Sequence, residues 1–135
     1  MSSIIPASEF VTDTMGLVLR FEQRRLGSTA KTLFEAMEAG TAIIRIPAIV
    51  FAEILYLSEK KRISLTLRSV EEHLTRFPQC REFSLSFGVV QTASDITDIP
   101  ELHDRLITVT TRILNIELIA NDLVIQASVF VRTVW

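Results

Sequence analysis

The tightest constraint on the fold is an alternation of two kinds of segment. Short apolar or β-branched runs at residues 10–14, 42–46, 83–87 and 116–120 are separated by stretches whose apolar residues recur at the spacing of one helical face. Parallel strands need a crossover to bring the chain back, and a helix is the usual one. The alternation therefore calls for an α/β fold, a mainly parallel sheet with helices on its faces. With 135 residues, the chain is long enough for one substantial core and too short for two. It is read as a single domain over residues 1–135, with residues 1–8 as a flexible tail.

The helical stretches follow from their apolar stripes. Residues 15–25 place Leu17, Val18 and Phe21 on one side, and Gly27 ends the run. Ser28 is suited to cap a second helix with Ala30, Leu33, Phe34 and Met37 inward, closing at Gly40. A third covers residues 47–60, with Pro47 in its first turn and Ile49, Val50, Ile54 and Leu57 as its stripe. Leu67, Val70, Leu74 and Phe77 mark a fourth over residues 65–77, stopped by Pro78. Phe83, Leu85 and Phe87 alternate as in a strand, and a small helix is expected near residues 89–94. Leu106, Ile107, Thr110, Ile113 and Leu114 are spaced for burial on a helix over residues 103–114, and residues 129–134 read as an edge strand.

Composition removes several functional classes. Cys80 is the sole cysteine, so neither an internal disulfide nor a thiolate metal cage is available, and a reducing compartment is expected. The net charge of -2 argues against gripping nucleic acid by bulk positive charge. Pro6 interrupts the only apolar pair near the N-terminus, so no signal peptide is read, and no apolar stretch reaches the roughly 18 residues of a membrane span. A cytoplasmic protein is expected.

Four acids occupy settings where a solvated carboxylate is out of place: Asp13 and Asp122 after strands, Glu53 between Ile49 and Leu57 on an apolar helical face, and Asp104 near a helix start. In a parallel sheet the carboxyl ends of strands and the starts of the following helices share one edge, so the four can converge there. Two unit charges about 4 Å apart repel by about 4 kcal/mol at an effective dielectric near 20. A divalent cation removes that cost, and an all-oxygen donor set favours Mg²⁺ or Mn²⁺ over zinc. Each acid also has a structural role open to it: Asp13 as a helix cap, Asp104 as a dipole partner, Asp122 as a turn residue, and Glu53 in an ion pair with Arg105.

Asp13-Thr14 after a strand, Pro47-Ala48-Ile49-Val50-Phe51-Ala52-Glu53-Ile54 after a second, Leu102-His103-Asp104-Arg105-Leu106-Ile107 opening a helix and Leu118-Ile119-Ala120-Asn121-Asp122 closing a strand resemble, in order and spacing, the four motifs of PIN domains, in particular the VapC-type toxins. The resemblance implies a three-layer α/β/α sandwich, a Mg²⁺- or Mn²⁺-dependent endoribonuclease, a homodimer, and inhibition by a cognate antitoxin. It also implies that Asp13, Glu53, Asp104 and Asp122 form the catalytic, metal-holding set. Met15 and Ala120 depart from the pattern, standing where members often carry small polar and hydroxyl side chains.

RNA approaching such a site needs cations outside it. Arg20, Arg24 and Arg25 on the first helix, and Lys60, Lys61 and Arg62, are the candidates, and ordinary solvated faces are the alternative reading of both runs; Thr14, His103, Arg105 and Asn121 flank the acids as candidate substrate contacts, with a surface or packing role also open to His103. Two other readings compete: a PIN-like module that binds protein or RNA without cleaving it, and a phosphoacceptor receiver-like domain. The latter needs a late lysine, and none follows Lys61.

Overall fold

The computed structural model describes residues 8–135. The tail expected at residues 1–7 lies outside the described residues, and Ser8, assigned to that tail, instead opens the first strand. Five strands form one all-parallel sheet: β1 (Ser8–Thr12), β2 (Ala42–Pro47), β3 (Cys80–Phe83), β4 (Glu117–Ile119) and β5 (Thr133–Val134), in the order β3-β2-β1-β4-β5. Seven helices are described: α1 (Thr14–Phe21), α2 (Ser28–Glu38), α3 (Ala48–Glu59), α4 (Leu67–Arg76), α5 (Phe87–Ala93), α6 (Leu102–Leu114) and α7 (Leu123–Ala127). The architecture is the expected three-layer α/β/α sandwich. A receiver domain has the order 2-1-3-4-5, so the observed order removes that reading.

Burial follows the sheet. Val11 and Thr12 of β1 and Leu118 and Ile119 of β4 are all fully buried although neighbours in a strand point to opposite faces, so both faces are covered here. Leu17 and Val18 of α1, Phe34 and Met37 of α2, Val50 and Ile54 of α3, and Ile107 and Val109 of α6 complete the core.

Several boundaries differ from the sequence reading. The first helix ends at Phe21, because Gln23 takes a left-handed φ of 57° ahead of Gly27. Ser28 is the first residue of α2 and makes no capping bond. Pro47 closes β2 and caps α3 in place of joining its first turn. The fourth helix starts after Thr66, which shares a capping box with Ser69, and leaves Leu67 exposed. The third strand lies upstream of the expected run. It pairs with β2 from Ile44↔Cys80 to Pro47↔Phe83, while Ser86 caps α5 and Phe87 is exposed. The alternation at residues 83–87 was thus a strand end followed by a cap. Ile113 is exposed on α6, α7 was not anticipated, and the last edge strand shrinks to two residues.

The order has one functional consequence. From β1 the chain steps to β2 and β3 on one side, then returns to place β4 and β5 on the other. Beyond the carboxyl ends of β1 and β4 the connections diverge and leave a crevice, the position where open α/β sheets take their ligands.

Candidate metal centre

Asp13 directly follows β1 at this crevice. Its amide donates to the Ile119 carbonyl (3.2 Å), extending the β1–β4 ladder by one rung. Its Oδ1 accepts the Gly16 amide at 2.7 Å as the cap of α1. The backbone at position 16 comes so close that a Cβ there would stand 2.7 Å from Thr12 Oγ1 and 3.0 Å from Asp13 Oδ1. Glycine is what permits this grip.

Glu53 reaches the crevice from the second turn of α3. Its Oε1 accepts the Thr14 hydroxyl at 2.7 Å, and its Oε2 lies 3.8 Å from His103 Nδ1. It does not pair with Arg105 among the described residues: Arg105 Nε is buried with no hydrogen-bond partner. Asp104 sits in the first turn of α6, its amide held by the Glu101 carboxylate at 2.8 Å. Asp122 is no simple turn residue; it caps α7 through Oδ1 and the Ile125 amide at 3.0 Å.

These four carboxylates, carried by four parts of the chain, line one cavity of about 340 Å³ together with Thr14, Met15, Asn121 and a floor that includes Leu19, Ile107, Ile125 and Trp135. Among the described residues no Lys or Arg lines it. The electrostatics record the crowding. Burial pushes the Asp13 carboxyl up to about 7 against the opposing pull of the Gly16 amide, and Asp104, Glu53 and Asp122 push it further. Asp104, half-buried, is raised to about 6 first by desolvation, then by Glu101, Asp122 and Glu53, with His103 opposing.

The donor set fits a hard divalent cation: carboxylate oxygens only, one of them in the core, and no resident cation to neutralise them. Among the described residues no three His, Cys, Asp or Glu side chains stand ready-made at ligand positions. The capping bonds of Asp13 and Asp122 each use Oδ1, which leaves the second oxygen of each carboxylate outside the cap.

The remaining sequence candidates divide between places. Thr14 and Asn121 line the acidic cavity. His103 borders a neighbouring apolar groove with Ile49, Tyr56 and Leu57. Arg20 and Arg24 lie elsewhere, in a larger cavity at the far end of α1, where Arg20 is bound to Glu38 by two hydrogen bonds. Lys60, Lys61 and Arg62 are exposed beyond α3 and line neither cavity. Of the two departures, Met15 lines the acidic cavity, whereas Ala120 is fully buried. Sequence reasoning missed Gly16, Glu101 and Trp135. The first two carried a signal: Gly16 stands three residues after Asp13 and Glu101 three before Asp104, the spacing of a capping bond.

No family model and no curated protein sequence matches the chain. Solved structures do match. VapBC2 from Rickettsia felis, bound to a DNA fragment from its promoter, superposes with a TM-score of 0.71 at 17% identity, covering 94% of this chain and 98% of that one. A toxin-antitoxin complex from Klebsiella pneumoniae gives 0.63 at 18% identity over 93% and 95% of the two chains. VapC20 from Mycobacterium tuberculosis, a sarcin-ricin loop cleaving toxin, gives 0.63 at 16% identity over 91% and 98%. At these identities the likeness is one of fold. The chain has the PIN-like fold found in VapC toxins.

Proposed function

We propose that the protein is a divalent-metal-dependent endoribonuclease that hydrolyses RNA phosphodiester bonds, and that it is the toxin of a bacterial type II toxin–antitoxin pair. The observation that carries this is the acidic cavity: four carboxylates converge at the sheet's switch point, with no Lys or Arg among its lining residues. Such a set is stable only when protonated or when a cation is present. The fold shared with a toxin that cleaves the sarcin-ricin loop supports the substrate class. The toxin-antitoxin complexes of the same fold support an antitoxin partner.

In this reading Asp13 and Asp104 would hold Mg²⁺ or Mn²⁺, and Glu53 and Asp122 would complete the site. A bound ion would supply positive charge to stabilise the attacked phosphate and lower the pKa of the attacking water. Gly16 fixes the Asp13 carboxylate and Thr14 that of Glu53. Asn121, in the cavity lining, and His103, in the neighbouring groove beside Glu53, contact the RNA. Water attack leaves a 5′-phosphate and a 3′-hydroxyl. The protein acts in the cytoplasm as a homodimer.

A second reading, a PIN-like module that binds without cutting, draws on Met15 occupying the cavity wall. A panel of labelled single-stranded RNAs incubated with Mg²⁺, Mn²⁺ or EDTA decides between them. Metal-dependent cleavage by the wild type that Asp104→Asn abolishes supports the nuclease; no cleavage of any RNA with either metal favours the binding module.

A further inference from the structure

A cavity of about 760 Å³, larger than the acidic one of about 340 Å³, lies elsewhere on the molecule. It opens at the far end of α1, and five of the chain's fourteen Lys and Arg residues line it: Arg20, Arg24, Arg25, Lys31 and Arg76. The chain as a whole carries a net charge of -2, so this concentration is local and does not follow from a basic composition. The one acid lining it, Glu38, is already held by Arg20 at 2.5 and 2.8 Å. Arg24 reaches Glu22 at 3.2 Å, whereas Arg25, Lys31 and Arg76 form no ion pair among the described residues.

Flat groups accompany the cations. The His73 ring lies on Phe21 with centroids 4.2 Å apart and planes within 12°, and the Arg76 guanidinium lies over the Phe77 ring at 5.1 Å. Cations along a groove, with the half-buried His73 and Phe77 rings and the exposed Arg76 guanidinium beside them, are the two parts of a single-strand nucleic-acid surface: the first take phosphates, the second take bases. An acidic peptide would use only the first.

The groove also adjoins the acidic cavity. Trp135 lines that cavity and packs on Gly27, whose neighbours Leu26 and Ser28 line the groove. Asp13 caps α1 and Arg20 lies in its last turn, about 10 Å apart along a helix rising 1.5 Å per residue.

We propose that this basic groove is a second binding site for single-stranded RNA, holding the phosphodiester backbone of a strand whose scissile bond lies in the acidic cavity. The identity of that strand as substrate rests on the nuclease reading; binding in the groove does not. The test is fluorescence anisotropy with a labelled single-stranded RNA of about 20 nucleotides in EDTA, where no cleavage intervenes, comparing the wild type with the triple variant Arg25→Gln/Lys31→Gln/Arg76→Gln. Each phosphate contact on a single strand contributes about 0.7 to the slope of log affinity against log salt, so the variant's slope should be shallower by about 2. Between about 50 and 200 mM salt the wild type should then lose about 20-fold more affinity than the variant. Arg25→Lys/Arg76→Lys, which keeps the charges, should retain the wild-type slope and shows that folding is not the cause. An unchanged slope in the triple variant overturns the proposal even if the wild type cleaves RNA. No binding of the RNA by the wild type, with saturable binding of a labelled poly-glutamate peptide that the triple variant loses, overturns it in favour of an acidic protein partner. A lost slope in a protein that never cleaves upholds the groove and refutes the nuclease.

Discussion

Asp13→Asn should make the metal-free protein more stable at neutral pH, the reverse of what removing a buried, capping side chain ordinarily does. The carboxyl is raised from its ordinary 3.8 to about 7 because it is buried among other acids. The folded state therefore prefers the protonated form. The stability this preference contributes is fully present below about pH 4 and is lost as pH rises through about 7. At about 1.4 kcal/mol for each pH unit between the two values, ionised Asp13 costs the fold about 4 kcal/mol above pH 7. Asparagine keeps an oxygen for the Gly16 amide, 2.7 Å away, and asparagine is as good a cap as aspartate. The variant should thus match the wild type within about 0.5 kcal/mol near pH 4 and exceed it by a few kcal/mol near pH 8 in EDTA. Saturating Mn²⁺ should narrow that gap, since a ligand at about 100 times its Kd adds about 2.7 kcal/mol to the protein that binds it. Urea unfolding at both pH values, with Mn²⁺ and with EDTA, measures all four quantities. A variant less stable than the wild type by the same amount at both pH values in EDTA would show Asp13 to be a cap and nothing more, and would refute the electrostatic argument.

Gly16→Ala places a methyl group 2.7 Å from Thr12 Oγ1 and 3.0 Å from Asp13 Oδ1; it should lower unfolding free energy by about 1–3 kcal/mol in urea titrations and reduce RNA cleavage by displacing the carboxylate. Thr14→Val deletes the 2.7 Å hydrogen bond to Glu53; cleavage should fall while RNA affinity in EDTA stays constant, and an unchanged cleavage rate would remove Thr14 from the site. Phe34→Ala, at a fully buried position of α2, should cost about 3–5 kcal/mol without altering Mn²⁺ affinity, measured by urea unfolding and calorimetry.

The sequence made the layered architecture legible because strand and helix periods differ and the segments are short. Asp13, Glu53, Asp104 and Asp122 stood out for a related reason: each is an acid in an apolar or strand-ending context, a local property. What escaped notice depends on contacts between distant segments. Nothing near Arg20 announces Glu38 as its partner, and nothing near Arg24 announces that Lys31 and Arg76 will share its groove. The hydroxyl of Thr14 meets a carboxylate 39 residues away. The third strand was misplaced because Phe83, Leu85 and Phe87 alternate as a strand would, while pairing with β2 and the Ser86 cap set the real boundary. Helix α7 is too short to display a period.

Mn²⁺ titration calorimetry of the wild type and Asp13→Asn at about pH 6 decides whether the four carboxylates form a divalent-cation site. With Asp13 titrating at about 7 and Asp104 at about 6, cation binding must displace their protons. Heats compared between two buffers of different ionisation enthalpy should show saturable binding with between one and two protons released, and Asp13→Asn should release about one fewer and bind more weakly. Absence of saturable binding at millimolar Mn²⁺, or binding without proton release, would contradict the account.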